Sequence, residues 1–554
     1  MVFSYFLHKK TVAAKQKERE DRINDLPEYK EPLTEEEKSI LSQEASKVIA
    51  KVQAGEIKPI SVLRAYGKRA LESQPELNAI TEIFIKDSEK WAEHANTKGP
   101  LAGFPITFKD TINVTGYDSC IGYSSRSFKP AVKDAPIVKL LKDAGAVPML
   151  KTNVPFTLLS FESYNDVWGV TSNPYHKDYA PGGSTGGEAA LLAYGGSRLG
   201  VGTDVAGSVR VPAHFSGIYS LKCSTGRFPK IGNTTSMAGQ EGIPAVYSPM
   251  TRSLPDLGFF LKTIIDMKPW EYDYSVHPIP WRKVDLPAKL KVGVIYDDGV
   301  VTPSPACARA LDLTIDALEK QGHSIVKFDA PDPLRCLRIA SQLLCSDAGR
   351  IATRGQLWGE NNDAGVGRML FAQRLPRFVK KIYAWILQYI YRDPVWAYMV
   401  RDWNEKTITE RWDLVAEREQ YKLEFFEAWK ESGIDILLTV PNATPALPHK
   451  GLYESISSCG YTFMFNLLDY SAGVLPVTRV DKEKDQLPPG FNPNKLNRIA
   501  KGAYDNYDAT KMHGLPVGVQ VVGQRLEEEK VIKAMEVVED ALHKSGVVYV
   551  QRNS

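Results

Sequence analysis

Residues 181–227 narrow the folds open to this chain more than any other stretch: PGGSTGGEAALLAYGGSRLGVGTDVAGSVRVPAHFSGIYSLKCSTGR. Glycine and other small residues crowd it, so the backbone can bend tightly and be approached closely. The run Gly182-Gly183-Ser184-Thr185-Gly186 satisfies Gly-x-Ser-x-Gly, the elbow in which a strand-to-helix turn exposes a nucleophilic serine. An elbow requires an apolar strand leading into the serine. Here SNPYHKDYAPGG, with Pro174 and Pro181, precedes Ser184 instead. Phosphate-loop readings fail too: GVGTDVAG has the wrong spacing for G-x-G-x-x-G, and STGGEAA lacks the lysine of a Walker loop. For the glycines alone, close packing of backbone is the plain alternative.

Charge and cysteine usage exclude several classes. With 69 basic and 66 acidic residues, the net charge of +3 is too balanced for the basic footprint of a nucleic-acid binder. The six cysteines (Cys120, Cys223, Cys307, Cys336, Cys345, Cys459) form no C-x-x-C pair, so reduced, mostly buried thiols of an intracellular protein are expected. No cofactor and no metal site are expected. The start, MVFSYFLHKKTVAAKQKERE, lacks the apolar run of a signal peptide, and no stretch reaches the roughly 20 apolar residues of a membrane span.

Along the chain, residues 1–35 are charged and proline-bearing and are expected to form a surface arm. Helical spacing between Glu36 and Ser73 predicts two helices split at Ala54-Gly55, the second capped near Ser61. GPLAGFPITFKD predicts a turn and a strand ending at Lys109, and 134–155 a helix, a glycine turn and a strand. Strand-like runs recur at 290–296, 435–440 and 515–522, with long helices over 307–321, 404–431 and 526–544. This alternation predicts an α/β fold, a central twisted mixed sheet surrounded by helices. No clean linker appears, so residues 36–554 are expected to form one domain, with its core at about 95–260. In the segment 369–403, Phe378, Ile382, Trp385, Ile386, Tyr389 and Ile390 share one helical face, with Lys380, Lys381, Ala384 and Gln388 on the other. That pattern suits an interfacial helix touching a membrane peripherally. A buried cap helix or a homodimer contact is the alternative.

Chemistry gathers around a second serine. Ser208 lies 24 residues after Ser184 (208 − 184) in GVGTDVAGSVRVPA. Successive N–H groups from Val205, Ala206, Gly207 and Ser208 can converge as an oxyanion hole. Thr203 adjoins this turn, and Asp204 and Arg210 flank it and are expected to fix it through hydrogen bonds to backbone. None of the nine histidines, His214, His449 and His513 included, is well placed for a Ser-Asp-His triad.

The whole block resembles the amidase signature family. So do LNAITEI, GPLAGFPITFKDTINVTGY, LKDAGAVPMLKTNVP, SPMTRSLPDL and HGLPVGVQVVG, so that the resemblance runs over about residues 40–545. SMAGQEGI (236–243), KPWEYDYSVHPIPWR and FNLLDYSAGVLPVT resemble the fungal acetamidase and general amidase branch. The resemblance implies a Ser-Ser-Lys triad: Ser208 as nucleophile, Ser184 as bridging serine after a cis peptide, and Lys109 as base. Thr185 stands where relatives often carry serine. Ala206 replaces a usual glycine, which would cost about 1 kcal/mol or more if that position needs positive φ. Burial would supply the neutral lysine such a base requires.

The resemblance therefore implies hydrolysis of a carboxylic amide through an acyl-enzyme. The acetamidase-like blocks favour small aliphatic or aryl amides. The 369–403 segment resembles the membrane-binding cap of fatty acid amide hydrolases and favours lipid amides. Leu158 and Leu159 match positions lining the substrate site there. A cytoplasmic enzyme, peripheral on a membrane if the cap binds one, is the expected setting. The alternatives are the amidase subunit of a glutamine-dependent tRNA amidotransferase and a catalytically inactive binding protein.

Overall fold

The apolar runs become the interior of one mixed sheet in the computed structural model, which describes residues 2–552. The strands are β1 (Ile80–Ile83), β2 (Pro105–Lys109), β3 (Val147–Thr152), β4 (Tyr164–Asn165), β5 (Gly169–Val170), β6 (Leu199–Asp204), β7 (Tyr219–Lys222), β8 (Val246–Thr251), β9 (Lys291–Val294), β10 (Ser324–Lys327), β11 (Ile436–Thr439), β12 (Ala472–Arg479) and β13 (Pro516–Val522). β4 and β5 pair with each other, and the other eleven form a single sheet in the order β1-β3-β2-β6-β8-β7-β12-β13-β11-β9-β10. β2, β3, β6, β7, β8, β11 and β13 are buried along their whole length, because helices cover both faces. The edge strand β10 is largely accessible. β2 runs parallel to both β3 and β6, so their carboxyl ends open on the same side. In α/β sheets, that side is where ligands bind.

Three local expectations change. Residues 35–77 form three helices rather than two: Glu35–Ser42, Ala45–Ala54 and Pro59–Leu77. Gly55 ends the second at φ 78°, and the third starts at Pro59 rather than near Ser61. The expected N-terminal arm is a 23-residue helix, Val2–Asn24. Its inward positions are polar, which hides the helical signal: His8 and Lys15 are buried. Lys15 Nζ lies 2.6 Å from Glu82 and 2.7 Å from Asp118, Arg22 pairs with Glu82, and His8 lies 3.2 Å from Asp166.

The aromatic segment folds as three helices, Ala364–Arg374, Arg377–Tyr389 and Pro394–Arg401. Along the middle one, Phe378, Ile382, Trp385, Tyr389 and the adjoining Ile390 face outward at 56–66% exposure. Lys380 and Ala384 turn inward, while Lys381 and Gln388 stay exposed, so the expected polar face is split. No helix among the described residues is long and apolar enough to cross a membrane.

Candidate active site

Lys109 is the last residue of β2, and Thr203 sits near the end of the adjacent parallel strand β6. Ser184 and Thr185 precede the Gly186–Tyr194 helix, and Ser208 lies in the turn between β6 and the Arg210–Ser216 helix. Three distant segments thus converge at the carboxyl ends of neighbouring strands. The Gly183–Ser184 peptide is cis. Gly183 packs so tightly against the Ser160 carbonyl that a Cβ there would clash with backbone.

Lys109 is fully buried, with Nζ 2.7 Å from Ser184 Oγ, 2.9 Å from Thr185 Oγ1 and 2.6 Å from Thr203 Oγ1. Among the described residues, no carboxylate pairs with it. Burial lowers its pKa well below the usual lysine value, against a smaller opposing pull from Asp204. Thr185 donates its own proton to the Thr203 carbonyl at 3.2 Å, so its oxygen accepts from Lys109. A neutral amine has two N–H groups and one lone pair. Thr185 and Thr203 can take the donors, which leaves the lone pair for the Ser184 hydroxyl proton. Ser184 and Ser208 are 2% and 4% exposed and line one cavity, although no hydrogen bond among the described residues joins their hydroxyls.

The turn carrying Ser208 is held from below by Asp204. The Gly207 and Val209 N–H groups donate to its carboxylate at 2.9 and 3.1 Å. Arg210, expected to bond to backbone, bonds to side chains instead: both Asp204 oxygens, Asn466 and Gln520. Burial alone would raise the Asp204 pKa, but Arg210 and the hydrogen bonds from Asn466 and Val209 hold it below the usual carboxylate range. The positive φ in the turn falls on Gly207, at 124°, and not on Ala206. Alanine at 206 therefore carries no left-handed strain. The Gly207 N–H is committed to Asp204, so the donors left to face a substrate oxygen are those of Val205, Ala206 and Ser208.

Two residues of this site escaped the sequence reading. Thr462 donates to the Ala206 carbonyl at 2.7 Å, and Asn466 Nδ2 to Asp204 Oδ1 at 2.8 Å. They stand four apart on the Gly460–Leu467 helix, hence on one face. Asn466 falls within FNLLDYSAGVLPVT, so a signal existed for it; nothing in the sequence ties Thr462 to residue 206. His214 is no base. It is buried with a pKa lowered to about 4 by desolvation, its Nδ1 accepts from Gly518 N–H at 3.0 Å, and its Nε2 lies 3.1 Å from the Thr444 carbonyl. All six cysteines are free thiols, five of them buried.

Two cavities meet at Ser208. One, of about 240 Å³, is the more polar of the two and is walled by Ser184, Lys230, Asn233, Thr234 and the 236–240 segment. The other, of about 70 Å³, is apolar and is walled by Leu158, Leu159, Phe161, Leu337 and Phe463. Val205, Leu158 and Leu159 line both.

The chain is similar in sequence and fold to known proteins. The sequence model of the family described as Amidase matches residues 61–532. The chain is 31% identical to an acetamidase of Aspergillus oryzae, over 94% of this chain and 93% of that one. It is 32% identical to fatty-acid amide hydrolase 1 of Sus scrofa, over 90% of this chain and 86% of that one. A solved fatty acid amide hydrolase superposes with a TM-score of 0.80 at 28% identity, covering 94% of this chain and 88% of that one.

Proposed function

This chain belongs to the amidase family, enzymes that hydrolyse amides, and from that premise we propose that it acts through Ser208, with Ser184 and Lys109 as its proton relay. The observation that carries the proposal is Lys109: fully buried, bonded only to hydroxyl and carbonyl groups, and depressed in pKa by burial. Neutral Lys109 takes the Ser184 proton as Ser184 takes that of Ser208. Ser208 Oγ attacks the amide carbonyl carbon, and the oxyanion faces the free amides of the Val205–Ser208 turn. Collapse expels the amine, which receives its proton back along the relay, and an acyl-ester on Ser208 remains. Water then enters, loses its proton to the relay and attacks the ester carbon, and Ser208 Oγ takes that proton back as the acid leaves. The open Ser184–Ser208 contact is consistent with this scheme, since catalytic hydrogen bonds in substrate-free sites are commonly long and tighten on binding.

The acyl part lies in the apolar cavity and the amine leaves toward the more polar one. The solvent-facing aromatic row of the Arg377–Tyr389 helix, flanked by Arg374, Lys381 and Arg392, rests on a lipid surface. This reading favours apolar acyl amides over acetamide. Turnover of acetamide, benzamide and oleamide with and without liposomes tests it. Oleamide is expected to be preferred, with the enzyme sedimenting with the liposomes. Preferred turnover of acetamide without liposome binding would overturn the lipid reading and leave the amidase chemistry standing.

A further inference from the structure

Beyond the apolar cavity at Ser208 lies a second one of about 310 Å³, between the three cap helices and walled by Leu375, Val379, Tyr383, Trp396 and Val400. Met369, Trp403, Ile456 and Ser457 line both, so they form the neck between the two spaces. Gln373 lines the inner cavity and Lys380 the outer one.

Polar groups flank this neck on both sides. Lys380 is 3% exposed and donates to the main-chain carbonyls of Gln373 and Trp403, each at 2.8 Å. An ammonium has three N–H donors. The third has no acceptor among the described residues, and no carboxylate pairs with the charge. Burial, with a smaller push from Arg377, lowers its pKa to about 8. Gln373 is 2% exposed, and both atoms of its amide lack a hydrogen-bond partner apart from the weak Cys345 thiol beside it. Trp403 is 5% exposed and its indole N–H is also unpartnered. The acid on the outer wall, Glu454, is already paired with Arg368 at 2.6 Å and Arg498 at 3.6 Å.

Buried donors without acceptors are costly, and a plain alkyl chain threading the neck would leave them so. A carboxylate is the acceptor that such donors lack, taking charge-assisted bonds from a cation and neutral ones from an indole or a carboxamide. We propose that the neck at Trp403, with Gln373 on its inner side and Lys380 on its outer side, is a binding site for a carboxylate carried on an apolar chain. The acid has two sources under the amidase reading, on which only this division rests. It is the released product, lying in the outer cavity, or a distal carboxylate on the acyl part of the substrate, reaching out from Ser208.

Titrating dodecanoate into the full chain carrying Ser208→Ala, with dodecanol as the neutral control, tests the site directly. Lys380→Met is expected to weaken dodecanoate about tenfold or more and to leave dodecanol unchanged. Gln373→Leu is expected to weaken it by a smaller factor. That variant keeps the clamp on both carbonyls and removes two unpartnered atoms, so it reads the site even if Lys380→Met does not fold. Turnover by wild type then separates the sources. Preference for the mono-amide of dodecanedioic acid over dodecanamide, lost in Lys380→Met, assigns the site to substrate. Inhibition by dodecanoate without that preference assigns it to product. Equal dodecanoate affinity in both variants, or no binding to any form, overturns the proposal and leaves a neck that holds only water. Failure of wild type to turn over any amide would sink the amidase reading, while the titration would still report on the neck.

Discussion

Lys109 shows how one residue's surroundings set its chemistry. A lysine at the end of a strand is ordinarily solvated and cationic, with a pKa near 10.4. Here desolvation outweighs the pull of Asp204, and three hydroxyls replace water around Nζ. In the proposed relay Lys109 works when neutral, so kcat/KM is expected to rise with pH through the lowered pKa and to be lost below it. A pH–rate profile should place this acid limb well below 10.4, with Lys109→Ala slower by about 10²–10⁴-fold. A limb near the free-lysine value would mean that burial does not tune this group. Lys109, Ser184 and Ser208 were legible in the sequence because glycine-rich turns and a matched motif bracket them. The role of Thr462 was not, because it acts on a carbonyl 256 residues away (462 − 206).

At the scale of elements, the Gly460–Leu467 helix is more than packing. Thr462 fixes the Ala206 carbonyl while Asp204 fixes the N–H of the same peptide, so that peptide is clamped at both ends. Thr462→Val keeps the shape and removes one clamp. It is expected to lower kcat about tenfold with little change in KM, less than the loss of a direct oxyanion donor. Steady-state kinetics check the split; a pure KM effect would place Thr462 in substrate binding instead. The N-terminal helix makes a stability prediction. Lys15→Met would leave Glu82 and Asp118 buried without their shared cation, although Arg22 still reaches Glu82. Breaking a buried pair on one side costs about 3–5 kcal/mol, readable as a lower denaturation midpoint. This helix was missed as a helix for the same reason it is held so firmly. Its inward positions are polar, and an apolar periodicity cannot report a face built from His8 and Lys15. The cap failed more subtly: Lys380 turns inward because two carbonyls await its ammonium, a fact of tertiary structure.

For the whole molecule, the alternating pattern gave the α/β class and the runs around β2, β3, β9, β11 and β13. Strand order was out of reach. β7 lies beside β12 across some 250 residues, a non-local pairing fixed by packing rather than by any adjacent signal. Likewise, the meeting of a more polar and an apolar cavity at one serine depends on segments from 111 to 463 that share no local motif. What the architecture achieves is a dry lysine at the strand ends, a clamped turn above it, and space on both sides of Ser208. In the proposed relay two serines divide the labour, Ser208 attacking and Ser184 passing the proton. Labelling with a fluorophosphonate probe, followed by mass spectrometry of the adduct, tests it most directly. An adduct is expected on Ser208 in wild type, none in Ser208→Ala, and slowed labelling of Ser208 in Ser184→Ala; an adduct on Ser184 that survives Ser208→Ala would reverse the two roles.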